Sequence, residues 1–368
     1  MLMGKICRVG CVIVAADGAE VLAKGYHKRK GGPHAEAAAL ADAKARGVTP
    51  EQMSGATCYV TLEPCHRGPG KTTPPCDEAL VASGLRNLHL AVMDPDVAFG
   101  NAGVTHLESH GVQVTVGTGA DAVARSLRPY LHQRATKAPY VVLKVASTAD
   151  GAIACADATS QWITGPGARA HSQQLRASSQ AILVGSGTAL ADSPRLTVRV
   201  PEEELPPGYM KERSCSSSSP QAPCLEFSLP CATLVLRARS PSAPPLTVVR
   251  APCAARRRLP PIGNPLRVLL DARGRVDDGP LLDTILAPTL IFTTAASQGS
   301  SARTAWEAAG VDVCEVPAAA HCAGDTAAAL AEGGGDGAGV HLPAVLAELG
   351  ARGIIQVMVE VRAPTERL

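Results

Sequence analysis

Pro33-His34-Ala35-Glu36, then Glu63-Pro64-Cys65 and Thr73-Pro74-Pro75-Cys76, hold the residue types that could do chemistry. One imidazole and two thiolates suit the borderline softness of zinc. Three protein ligands leave a fourth position open, the ligand count of a catalytic rather than a structural zinc. His34, Cys65 and Cys76 are therefore the candidate metal ligands. Water on such a zinc drops from a pKa of about 16 to about 7. Glu36, two residues after the His, is the candidate proton shuttle: it could take a proton from that water and return protons to a ring nitrogen and a leaving ammonia. Singly the parts are weak, since H-x-E is common and either Cys could be a buried core thiol. Their order, with a strand ahead of each half, makes them read as a site.

These residues need elements to carry them. Residues 9–14 are a continuous apolar run, as in a strand of a covered sheet. Asp17-Gly18 signals a hairpin turn into a short strand over 21–25. An Ala-rich helix spans 35–46, with Gly47 as its stop. Pro33 suits a helix start that places His34 and Glu36 in the first turn; Pro64 before Cys65 and Pro75 before Cys76 read as further helix starts. A helix N-terminus favours the ligating thiolate. The β-branched run 57–62 is a strand leading into Pro64-Cys65. A helix over 76–82 ends at Gly84; a strand at 88–93, a helix at 104–110, a strand at 112–116 and a helix at 120–134 follow. Alternation at this spacing indicates a layered α/β sheet.

Pro139 marks a second unit, which starts with a strand at 140–145. Residues 201–265 interrupt it with Glu202-Glu203-Glu204, Ser216-Ser217-Ser218-Ser219 and Arg256-Arg257-Arg258 among many prolines, a low-complexity insertion. The order then resumes: strands at 267–271 and 288–293, a helix at 302–309, a strand at 311–316, a helix at 342–349 and a continuous apolar strand at 354–360. The division expected is 1–138, then 139–200 with 266–368, around the insertion.

Composition narrows the classes. The 368 residues have room for two domains, and the 46% apolar share rests on small aliphatic side chains because aromatics are only 3%. A formal net charge of +2 gives no electrostatic case for nucleic acid, and no apolar run of membrane-spanning length occurs. Twelve Cys with no signal peptide read as reduced thiols plus a metal site. A soluble intracellular protein is expected, cytoplasmic, or plastid if a transit segment is missing from this chain.

H-x-E followed by Pro-Cys and a second Cys is the signature of the zinc deaminases. Together with Gly10-Cys11-Val12-Ile13-Val14, Tyr59-Val60-Thr61-Leu62-Glu63-Pro64-Cys65, Thr73-Pro74-Pro75-Cys76 and Asp94-Pro95, it resembles the deaminase domain of the riboflavin-biosynthesis deaminase/reductase family. The resemblance continues through Lys144–Gly151, Ser160-Gln161-Trp162-Ile163-Thr164, Arg176, Ala181–Thr188 and Ala191–Arg199 into the reductase domain. It implies a three-layer cytidine-deaminase-like α/β domain followed by an incomplete dihydrofolate-reductase-like α/β domain. It also implies zinc and NADPH as cofactors, diaminohydroxyphosphoribosylaminopyrimidine as substrate, and a homodimer. Carried over position by position, Lys71, Ser160, Arg176, Leu196 and Arg199 would contact substrate, and Trp162, Thr188 and Asp192 would contact NADPH.

The chain also departs from that pattern. Ten residues rather than eight separate Cys65 from Cys76, and Ile6-Cys7-Arg8 stands where the family has an Asn-Pro segment. Asp271-Ala272 replaces Asp-Ser, and Val359-Glu360-Val361-Arg362 replaces a glycine turn whose backbone approaches the nucleotide phosphates. Deaminase activity is therefore expected, with the reductase activity lost or weak. The rivals are another nucleoside or nucleotide deaminase of this fold, or a non-catalytic zinc-stabilised binder of a flavin precursor or NADPH.

Overall fold

The computed structural model describes residues 9–28, 31–68, 74–96, 101–155, 162–200, 264–319 and 339–361. Among them lie two β-sheets of different character. The first runs β2-β1-β3-β4-β5, from β1 (Gly10–Val14), β2 (Val21–Tyr26), β3 (Thr57–Leu62), β4 (Asn87–Val92) and β5 (Gln113–Val116). The hairpin turn at Gly18, with φ +74°, makes β1 and β2 antiparallel. β1 also runs antiparallel to β3, and the ladders from β3 to β4 and from β4 to β5 are parallel.

Its helices are α1 (Ala35–Ala45), α2 (Pro50–Gly55), α3 (Cys76–Ala82), α4 (Ala102–Ser109) and α5 (Ala120–Thr136). Ala35, Ala39 and Ala43 repeat at the helical spacing and are buried, so α1 presents a flat face. Gly25 on β2 accepts that face closely: a Cβ there would stand 2.3 Å from the backbone of Ala35 and Ala39. Small residues thus set the depth at which α1 sits. α2 was not expected from the sequence. Thr49 and Gln52 form a complete capping box at its start, and Pro50 occupies its first turn, so its signal was local and present.

The second sheet runs β10-β9-β8-β7-β11-β6 and is parallel at every ladder. Its strands are β6 (Tyr140–Lys144), β7 (Ala181–Gly185), β8 (Leu266–Leu270), β9 (Thr289–Thr293), β10 (Asp312–Glu315) and β11 (Gln356–Glu360). The helices are α6 (Pro166–Ser178), α7 (Ser186–Asp192), α8 (Ser301–Ala309) and α9 (Leu342–Ala351). On β7, Ala181 and Leu183 join one core, while Ile182 and Val184 join another with Trp306. Both faces are covered, which explains the unbroken apolar strands. β6 lies at the edge and leaves Val141 and Leu143 exposed. Ile355 packs into the core of the first sheet, and a Cβ on Gly350 would lie 2.0 Å from the carbonyl of Lys137. No helix among the described residues is long and apolar enough to cross a membrane.

Candidate metal centre

Two helix N-termini and one irregular segment carry the site. α1 opens behind His34, its N-cap, whose backbone is extended at φ −69°, ψ 164° and whose side chain makes no cap bond. The imidazole faces the thiols instead: Nδ1 lies 3.2 Å from Cys65 Sγ and 3.4 Å from Cys76 Sγ. This corrects the expectation that Pro33 starts the helix with His34 inside its first turn. The helical residues begin at Ala35, because the N-cap takes extended backbone. The expected helix start at Pro64-Cys65 is also corrected, since Cys65 lies in irregular chain. Its carbonyl instead accepts the N–H groups of Cys76, at 3.1 Å, and Asp77, at 3.4 Å. α3 starts behind the N-cap Pro75, which has no side-chain cap, so the Cys65 carbonyl fills that role. One backbone oxygen thereby ties the two Cys-bearing segments together.

The three donor atoms lie within 4.8 Å of one another. Two sulfurs and a nitrogen at that separation fit zinc, with Nδ1 as the imidazole donor and the ring proton left on Nε2.

Glu36 sits in the first turn of α1 and is 3% exposed. Burial pushes its carboxyl up to about 7; the backbone N–H of Glu36 offsets part of this, Cys65 adds to the rise, and His34 opposes it. In the metal-free protein the carboxyl is therefore protonated below about pH 7. A dication nearby favours the carboxylate and moves the titration down. Difference infrared spectroscopy at pH 6 should show a protonated carboxyl band in the metal-free protein that zinc removes and Glu36→Gln lacks. A band that persists with zinc bound would contradict this sign.

Behind Cys65 the packing is tight. Gly103 on α4 approaches Pro64 so closely that a Cβ would stand 2.1 Å from the Pro64 carbonyl oxygen. Gly→Ala inside a helix ordinarily gains about 1 kcal/mol. Gly103→Ala is expected to do the reverse, displacing Pro64 with Cys65 and weakening zinc affinity at least about tenfold by chelator competition. Unchanged affinity would show that Pro64 yields without moving its neighbour. Beside it, burial raises the Glu63 carboxyl, which accepts the Asp94 N–H at 3.2 Å, while Asp94 Oδ2 accepts the Tyr130 hydroxyl at 2.9 Å.

The remaining candidate residues lie around the second sheet, apart from Lys71 and Ser160, which fall outside the described residues. Arg176 of α6 makes a bidentate pair with Glu360, at 2.6 and 2.7 Å, and donates to the Thr197 carbonyl at 3.3 Å. Leu196 takes φ +50° and is 1% exposed, so only its backbone could meet a ligand. Arg199 donates its N–H to Gln173 Oε1 at 3.1 Å. Trp162 is 72% exposed, with the Arg169 guanidinium 4.5 Å from its ring centroid. Thr188 and Asp192 lie on α7, half-buried and exposed respectively. The sequence reading missed His66, Asp77 and His106, which also converge. The position of His66 and Asp77 directly after the two Cys was the available signal; nothing local marked His106.

Comparison with known proteins places both halves. Residues 139–363 match the family described as the RibD C-terminal domain, and residues 4–92 match the cytidine and deoxycytidylate deaminase zinc-binding region. The riboflavin biosynthesis protein RibD of Chlamydia muridarum is 43% identical over 198 residues, 54% of this chain and 50% of that protein. The Escherichia coli K12 protein of the same name is 44% identical over 192 residues, 52% and 49% respectively. The chain spans about half the length of the curated relatives it matches. The solved deaminase/reductase of Thermotoga maritima superposes with TM-score 0.64 at 27% identity, over 97% of this chain and 77% of that one. Acinetobacter baumannii RibD gives 0.64 at 28%, over 96% and 73%. With the C-terminal match covering more than half of its length behind a deaminase zinc-binding region, the chain belongs to the RibD C-terminal domain family.

Proposed function

We propose that this chain is a zinc-dependent hydrolytic deaminase of riboflavin biosynthesis, converting the amino-bearing ring carbon of diaminohydroxyphosphoribosylaminopyrimidine to a carbonyl with release of ammonia. The observation that carries this is the convergence of His34 Nδ1, Cys65 Sγ and Cys76 Sγ with a buried carboxyl, Glu36, two residues from one ligand. The relatives named RibD and the deaminase/reductase activities named for the Thermotoga protein support the substrate class.

His34, Cys65 and Cys76 would hold the zinc. When bound, it would supply the Lewis acidity that acidifies the attacking water. Glu36 moves the protons: its carboxylate takes one from the attacking water and passes it to the ring nitrogen, then takes the second from the resulting hydroxyl and passes it to the departing amine as the C–N bond breaks. Its burial keeps the carboxyl from solvent and raises its proton affinity, while a bound dication would keep it ionised and ready to accept.

Residues 1–138 form the deaminase unit, and 139–200 with 266–368 form the reductase-like unit around 201–265. Lys71, Ser160, Arg176, Leu196 and Arg199 are assigned to substrate, and Trp162, Thr188 and Asp192 to NADPH. Reductase turnover is weak in this reading, because Glu360 already occupies the Arg176 fork and the glycine turn expected after Glu360 is replaced. The working form is a homodimer.

The test is ammonia release by zinc-loaded protein from the ribosyl-phosphate pyrimidine, with cytidine and deoxycytidylate as comparison substrates. Release from the first alone, lost on chelation and restored by zinc, is expected. No release by a folded, zinc-loaded chain would overturn the proposal. NADPH oxidation after deamination reads the second unit separately.

A further inference from the structure

A second group of metal-ligating side chains stands beside the first. His66 follows Cys65 and Asp77 follows Cys76, and both meet His106 of α4. Neighbouring residues on a helix project about 100° apart. Cys76 can therefore face His34 while Asp77, from the same turn, faces α4. The donor atoms of His66, Asp77 and His106 lie within 4.8 Å of one another.

The contacts are unusual for a cluster satisfied by itself. Asp77 is fully buried. Its Oδ1 accepts the N–H of Glu78 at 2.8 Å. Its Oδ2 receives both imidazoles, His66 Nδ1 at 2.5 Å and His106 Nδ1 at 3.0 Å. The second approach is short enough for an ion pair but too poorly aligned for a hydrogen bond. The buried His106 Nδ1 has no hydrogen-bond partner among the described residues. The rings of His66 and His106 stand 5.3 Å apart at 49°, so their nitrogens converge without the rings stacking. His110, whose ring centroid is 4.3 Å from that of His106, is excluded as a ligand through Nδ1, which is bonded to the His106 carbonyl at 2.8 Å.

A buried carboxylate needs a partner of opposite charge or a full set of donors. Here one of its two imidazole neighbours turns a nitrogen toward the same point in space without bonding it. We infer that His66, Asp77 and His106 form a second divalent-cation site, distinct from the Cys65/Cys76 centre. Two imidazoles and one carboxylate suit zinc, cobalt or nickel. The ion would join the chain after Cys65, the first turn of α3 and α4. It would thereby fasten the far side of the two segments that hold the thiols.

Zinc and cobalt(II), added to the metal-freed full chain, are the probes. Cobalt at the thiolate centre has a sulfur-to-metal charge-transfer band; cobalt bound by His66, Asp77 and His106 has none. The parent should take one equivalent with the band and a further one without it. His106→Ala and Asp77→Asn should each lose the band-free equivalent and keep the other, and the surviving band reports that the fold around the thiols is intact. Metal content equal to the parent's in both variants would overturn the inference. The parent decides the matter without substitution: paramagnetically shifted Nε2–H protons from three metal-bound imidazoles support it, and one alone refutes it.

Discussion

Glu36→Gln is expected to lower ammonia release by about two to four orders of magnitude while the protein keeps its thiolate-bound zinc. The amide matches the carboxyl in shape, so the buried space around a 3%-exposed side chain stays filled. It cannot accept a proton and hand it on. The measurement is kcat together with zinc content on the same preparation. Retained zinc with collapsed kcat assigns Glu36 to proton movement. A variant that keeps its rate would refute that role, and loss of zinc would make Glu36 a supporter of His34 instead. The effect should lie in kcat more than in KM, because proton transfer belongs to the transition state.

The largest stability effect is expected at Arg267, far from the thiols. It lies on β8, fully buried, and donates to four carbonyls: Pro280 at 2.7 Å, Leu281 at 3.3 Å, Asp283 at 2.7 Å and Ala287 at 2.7 Å. Burial pushes its pKa down to about 10, with Asp283 opposing, which still leaves it charged at neutral pH. The guanidinium gathers a segment without regular structure around the end of a strand. Arg267→Met fills much of the volume but leaves those carbonyls without their donor. Each unsatisfied buried acceptor costs about 1–3 kcal/mol, and breaking a buried charged network costs about 3–5 kcal/mol in all. Denaturant unfolding followed by Trp306 should therefore shift by about 4 kcal/mol. Trp306 is fully buried and donates to the Val276 carbonyl at 2.7 Å, so it reports this core; Trp162→Phe removes the other indole. A shift below about 1 kcal/mol would mean that water replaces the guanidinium.

Much of the molecule was readable before any coordinates. Apolar runs, Gly stops and Pro starts placed β1 through β5 and most helices of the first unit within a few residues, because these signals act over one or two turns of chain. The types and order of His34, Glu36, Cys65 and Cys76 named a chemistry. α2 too has a local signal, the capping box of Thr49 and Gln52. Other features had no local signal. That Cys65 lies in irregular chain whose carbonyl caps α3, that Gly103 presses on Pro64, and that Arg176 closes on Glu360 depend on segments far apart in sequence. The same holds for His106. Nothing in the sequence around it marks it, and only the packing of α4 against α3 brings its nitrogen to Asp77. The sequence by itself determined which residue types could bind a metal and move a proton, since those properties belong to side chains. The tertiary structure decided which of them share a space, how deeply Glu36 is buried and therefore where it titrates, since distance and dielectric exist only once the chain is packed.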